Sequence, residues 1–193
     1  MENEPKITKT AQKTIAILCF LFLLLFMKYK PYEHFLYGDS FLKEIFILYS
    51  YVINTTLGWV HESGHGVCYL AHCPDFFTAL NGTLFQLLFP FLPGCICKKR
   101  GDNFGFYIGL FFVGFSSQYT AWYIATAHEG LYVSASNSFL GVDGYHDFYT
   151  VLSAFGLVGY DWFVSMLVKI AGYALMFYAT FKMVILAWIE ERE

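Results

Sequence analysis

The chain has 193 residues, of which 57% are hydrophobic and only 14% charged, with a mean hydropathy of +0.49. A soluble domain carries about 25% charged residues, so too little polar surface exists here to cover a water-exposed globule. The composition implies an integral, multi-pass membrane protein of one domain spanning residues 1–193. The net charge of −3 and a longest basic run of Lys98-Lys99-Arg100 offer no nucleic-acid-binding surface. Five cysteines, odd in number and mostly in apolar stretches, suggest no disulfide framework.

In chain order, residues 1–13 form a polar tail. Ile15 to Met27 is an uninterrupted apolar run, closed by Lys28 and Lys30. No small-x-small cleavage site follows it, so a retained membrane helix is expected rather than a removed signal peptide. A second apolar stretch runs from Phe41 to Cys73. As one helix it is about 50 Å long, more than a bilayer core of about 30 Å, so a break is expected near Asn54 or Gly58. Asn81-Gly82 reads as a turn. Pro90 and Pro93 then make Gly82 to Cys97 a kinked span or a re-entrant hairpin beside the site, with Gln86 its one polar side chain. Phe104 to Ala127 carries no charge and reads as a clear span, with Ser116, Ser117 and Gln118 near its middle. A polar loop follows over residues 128–147. A helix restarts at Phe148 with Asp147 as its N-cap, and the last span runs from about Trp162 to Trp188. The expected fold is all-α, a polytopic membrane bundle of about 4–6 transmembrane or re-entrant helices.

The chemistry concentrates in Val60-His61-Glu62-Ser63-Gly64-His65-Gly66. Histidines four apart share one face of a helix, because four residues make slightly more than one turn. His61 and His65 can therefore grip one metal ion. Glu62 projects beside that ion, where a carboxylate takes a proton from a metal-bound water, as in H-E-x-x-H metalloproteases. A charge in so apolar a segment is expensive unless it is paired or serves a metal. Gly64 and Gly66, flanking His65, admit a closely packed neighbouring helix.

A catalytic zinc has three protein ligands and an open position, so a third ligand is needed. His72 lies about 10 Å beyond His65 by helix rise, too far to share the ion. His34 and His128 sit in loops with no acidic neighbour organised around them and read as surface histidines. The polar island Gly141 to Phe148 is the better source. His146 is the expected ligand, with Asp147 or Asp143 orienting it from behind or replacing it. Gln86 and Gln118 are candidates for lining the site.

These motifs resemble those of the site-2 protease group of intramembrane zinc metalloproteases. That group completes its site with an aspartate from a later Leu-Asp-Gly-type motif, which Val142-Asp143-Gly144 resembles without the asparagine and proline that normally precede it. The chain is similar, more closely, to small bacterial membrane proteins related to those proteases. Their later motif reads His-Asp-aromatic, matched by His146-Asp147-Phe148, and their Gly-small-Leu-Phe-Gln-Leu-Leu-x-Pro element is matched by Gly82 to Pro90. The resemblance covers residues 57–160, the metalloprotease-like core, and implies a zinc site. The expected function is an intramembrane zinc metalloprotease. Zn²⁺ sits on His61, His65 and His146, Glu62 is the general base, and the substrate is a peptide or membrane protein in or beside the bilayer. The alternative is a non-enzymatic metal-binding membrane protein, either a transporter or a catalytically inactive scaffold.

Overall fold

The computed structural model describes residues 8–30, 40–133 and 144–188, without the side chains of residues 49, 50, 54 and 133. Among these the fold is an all-α bundle of six helices: α1 (Lys9–Tyr29), α2 (Phe41–Leu70), α3 (Asp75–Lys99), α4 (Asn103–Ala125), α5 (Asp147–Ser153) and α6 (Asp161–Trp188). One short antiparallel ladder joins β1 (Tyr132–Val133) to β2 (Gly144–Tyr145), with Tyr132 opposite Tyr145. Among the described residues, three segments are long and apolar enough to cross a membrane: α1, α3 and Val158–Trp188.

The helix ends follow local chemistry. The Thr8 hydroxyl accepts from the Ala11 N–H at the start of α1, and the Asp102 carboxylate accepts from the Gly105 N–H at the start of α4. Such side chains satisfy amide donors that the first turn leaves without partners.

Helix α4 packs against both α3 and α6 and is the most enclosed of the long helices. Small residues let α4 and α6 approach closely. A Cβ on Gly114 would stand 2.7 Å from the Gly172 carbonyl oxygen, closer than real Cβ contacts come. Polar groups on this seam bind helix to helix: Gln118 Nε2 donates to the Lys169 carbonyl and Ser165 Oγ to that of Ala121. Below them, Phe22 and Phe26 of α1 meet Phe46 of α2 and Phe115 of α4 at tilted or edge-on angles.

The structure changes several expectations. Helix α2 is continuous through Asn54 and Gly58, and at 30 residues is about 45 Å long. Asn81 and Gly82 form no turn; both lie inside α3, which runs as one helix through Pro90 and Pro93. A proline inside a helix costs about 3 kcal/mol in water, yet membrane helices tolerate it when neighbours enclose the site. Here Gly94 of α3 lies against Gly109 of α4. The absence of a disulfide framework also fails in one respect. Cys68 and Cys73 are paired as a disulfide that closes the turn between α2 and α3. Helix α5 starts one residue earlier than expected, at Asp147, and ends at Ser153.

Candidate metal centre

His61 and His65 stand on the face of α2 turned toward α3. That approach is close because Gly64 has no side chain: a Cβ there would lie 2.5 Å from the Asn81 carbonyl oxygen. The Asn81 side-chain amide in turn donates to the Gly64 carbonyl at 2.7 Å. Gly66, in contrast, faces open space and is not part of this crossing.

Each imidazole is oriented from behind. His65 Nδ1 faces the Thr78 carbonyl oxygen at 2.8 Å, and His61 Nδ1 faces Gln86 Oε1 at 3.2 Å. The Gln86 orientation is set by its amide nitrogen, which donates to Ser116 Oγ at 2.8 Å. An acceptor oxygen behind each ring favours the tautomer with its proton on Nδ1, which leaves both Nε2 lone pairs pointing forward.

They converge on each other and on Asp147. The two Nε2 atoms are 3.0 Å apart, and Asp147 Oδ2 lies 2.8 Å from His61 Nε2 and 3.2 Å from His65 Nε2. A tetrahedral ion with bonds of about 2.0–2.1 Å sets its ligand atoms about 3.3 Å apart, close to this spacing. Two imidazole lone pairs and a carboxylate facing one another repel unless a cation lies among them. His61, His65 and Asp147 are thus a buried group able to hold a metal ion.

The expected third ligand is corrected. His146 is fully buried, but both its ring nitrogens are used elsewhere. Its Nδ1 accepts from the Tyr149 N–H and caps α5, while Nε2 donates to Thr126 Oγ1 at 3.0 Å. The Thr126 hydroxyl passes its own proton to the Tyr123 carbonyl. His146 also stacks on the Tyr123 ring, with centroids 4.4 Å apart and planes 10° from parallel. Its ring lies outside the ligand group, and Asp147, expected as helix cap or replacement ligand, supplies the oxygen there.

Two backbone hydrogen bonds hold Asp147 in place. The His146 N–H donates to the Leu131 carbonyl, extending the β1–β2 ladder up to the helix start. The Asp147 N–H donates to the Tyr123 hydroxyl at 3.3 Å. Tyr123 in turn presents its ring edge-on to His61.

The remaining candidates divide. Gln86 belongs to the site through His61. Gln118 does not, since its amide joins α4 to α6. Glu62 is exposed beside His61, near enough to act electrostatically on His65 and Tyr123. Asp143 and His34 lie outside the described residues. His72 lies in the turn after α2, away from the ligand group. His128 is not an isolated surface histidine: its Nδ1 lies 2.6 Å from Asp161 Oδ2, which also accepts the His128 N–H. That hydrogen bond and the Asp161 charge raise the His128 imidazole above its ordinary range. In a proton NMR titration, His128 is expected to titrate above its usual midpoint and to fall back when Asp161 becomes Asn. An unchanged midpoint would refute the pairing.

Sequence reasoning missed Tyr123, Thr78 and Gly82 as parts of the site. Nothing in a tyrosine within an apolar span marks it as a neighbour of the site. Ser116, a polar residue noted in the middle of its span, reaches the site through Gln86. Gly82 had a signal, its place within the Gly-to-Pro element ahead of Gln86. A Cβ there would lie 2.6 Å from His65 Nε2 and 2.7 Å from His61 Nε2. Compared with known proteins, the chain matches no family model, no curated protein and no solved structure.

Proposed function

We propose that the protein is an integral membrane zinc metalloprotease that cleaves peptide bonds of membrane-embedded or membrane-adjacent substrates. The observation that carries this reading is the convergence of His61, His65 and Asp147 beside Glu62. Two nitrogens and one oxygen leave an open fourth position, the ligand count of catalytic rather than structural zinc. Zinc in such a site acts as a Lewis acid on the scissile carbonyl and acidifies a water.

The chain's own residues supply the rest. Glu62, one residue from His61 and not a ligand, takes the proton of the attacking water and returns it to the leaving amine. Gln86 and the Thr78 carbonyl hold the imidazoles in the tautomer that presents Nε2. The Tyr123 hydroxyl accepts from the Asp147 N–H.

The test is Glu62→Gln, nearly isosteric and outside the ligand set. The variant should keep its metal and lose at least about two orders of magnitude in turnover, the scale of a lost general base. Without a known substrate, the readout is labelling of new protein N-termini in membranes carrying either form. Cleavages present with the wild type and absent with Glu62→Gln support the reading. Identical N-termini in the two membranes contradict it and favour the scaffold or transporter alternative.

A further inference from the structure

We infer that the metal centre opens on the oxidising, non-cytoplasmic face of the membrane, at the edge of the bilayer rather than in its middle. Its substrates are then segments of membrane proteins that adjoin a span on that face. The orientation and depth rest on the membrane placement in the proposed function, and the substrate class rests on proteolysis as well.

The side is given by the chemistry at the two ends of α3. At its start, the turn from α2 is closed by the Cys68–Cys73 disulfide, a bond that persists in oxidising compartments and is rare in the cytosol. At its end stand Lys98, Lys99 and Arg100. Short connections rich in Lys and Arg stay on the cytoplasmic side, and the rule counts those residues rather than net charge. The connection from α4 to α6 lies on the disulfide side, since it delivers Asp147 to His61 and His65. Neither connection on that side carries a Lys or Arg: the sequence has none from 44 to 97 or from 101 to 168. Helix α6 runs antiparallel to α4, with Ser165 at Ala121 and Tyr178 at Tyr107. Its end therefore returns to the basic side, where the Lys9 ammonium donates to the Leu186 carbonyl. Lys28 and Lys30, at the far end of α1, count the other way, and the disulfide decides.

The depth follows from the same helix. A hydrocarbon core of about 30 Å takes about 20 residues of helix. Counted back from Cys97, the last residue before the basic run, they end at Thr78. The Thr78 carbonyl faces His65 Nδ1 at 2.8 Å, so the ligand group stands at the edge of the hydrocarbon. The neighbouring elements agree: α2 ends at Leu70, soon after His65, and Asp147 opens α5. Tyr69, Tyr160 and Trp162 are exposed at the end of α2 and the start of α6, as tyrosine and tryptophan are where they gather at a membrane surface. A peptide bond in the bilayer interior is held in helical hydrogen bonds, because nothing else there satisfies its backbone. At the edge water satisfies it, so a segment just outside a span can extend and offer its carbonyl to the site.

The test expresses the full chain in the inner membrane of a bacterial host with an oxidising periplasm. Intact cells are treated with a membrane-impermeant maleimide, with and without a charged phosphine reductant, and labelled peptides are read by mass spectrometry. Cys68 and Cys73 should be labelled only after reduction, and the exposed reporter Asn103→Cys only after the cells are permeabilised. Cys68 and Cys73 labelled without reductant or only after permeabilisation, or Asn103→Cys labelled in intact cells, would overturn the orientation. Chain recovered in the soluble fraction would overturn the membrane placement itself. The substrate class is read from the new N-termini that the wild type makes and Glu62→Gln does not. They should fall within about five residues of the periplasmic end of a span, about 17 Å of extended chain. N-termini inside spans or on the cytoplasmic side would overturn the substrate class while sparing proteolysis. Identical N-termini with both forms would overturn proteolysis and the substrate class together, and leave the orientation to the labelling.

Discussion

Gly82→Ala is expected to give a folded protein that holds no metal. The new methyl carbon would stand 2.6 Å from His65 Nε2 and 2.7 Å from His61 Nε2, where carbon atoms do not come closer than 3.0 Å. The atoms in its way are the two that must converge on the ion, so either ring can yield only by leaving the ligand set. The lesion is confined to the site, because alanine is the better helix former by about 1 kcal/mol and α3 should lose no helicity. Gly66→Ala is the matched control: its side faces open space, and it should keep its metal. Metal analysis with circular dichroism on both variants checks the prediction. A full metal equivalent in Gly82→Ala would mean that the ion does not sit between these nitrogens.

The second large effect separates Asp147 from its neighbour. Asp147→Ala removes the only oxygen in the group and should strip the ion. His146→Ala should weaken binding by about 10- to 100-fold without abolishing it, as for other residues that orient a ligand from behind. His146→Asn sharpens the comparison, since asparagine is a favourable N-cap. It should recover most of the affinity if His146 acts by capping α5, and none if the imidazole is a ligand. Metal titrations of the three variants read this out. Full occupancy in Asp147→Ala, or an empty site in His146→Asn, would reverse the assignment.

The contrast between His146 and Asp147 shows what was legible in the sequence. Composition alone points to an all-helical bundle with membrane-crossing segments. The four-residue spacing of His61 and His65 fixes one face of one helix. The third ligand depends instead on which of two adjacent residues turns back to close a helix end. Caps are usually Ser, Thr, Asp or Asn, so local preference gives that task to Asp147. The partners that decide otherwise, Thr126 and the Tyr123 ring, lie about twenty residues away and become neighbours only through the fold.

The same limit explains Gly82. Asn-Gly is a strong turn signal in isolation, but here Asn81 bonds the Gly64 carbonyl while Gly82 makes room for two imidazoles. Both are tertiary demands met inside a helix. Gln86 was legible as a lone amide in an apolar stretch. Gln118 looked the same and proved to bind α4 to α6, because sequence does not say which helix face meets which neighbour. The Cys68–Cys73 pairing was hidden by an odd cysteine count.

The central claim, a single metal centre built by His61, His65 and Asp147, is tested most directly by the zinc content of protein purified in detergent without chelators. About one zinc per chain is expected, because the ligand group supports one site. Protein that contains no zinc, and takes none up when it is supplied, would contradict the account.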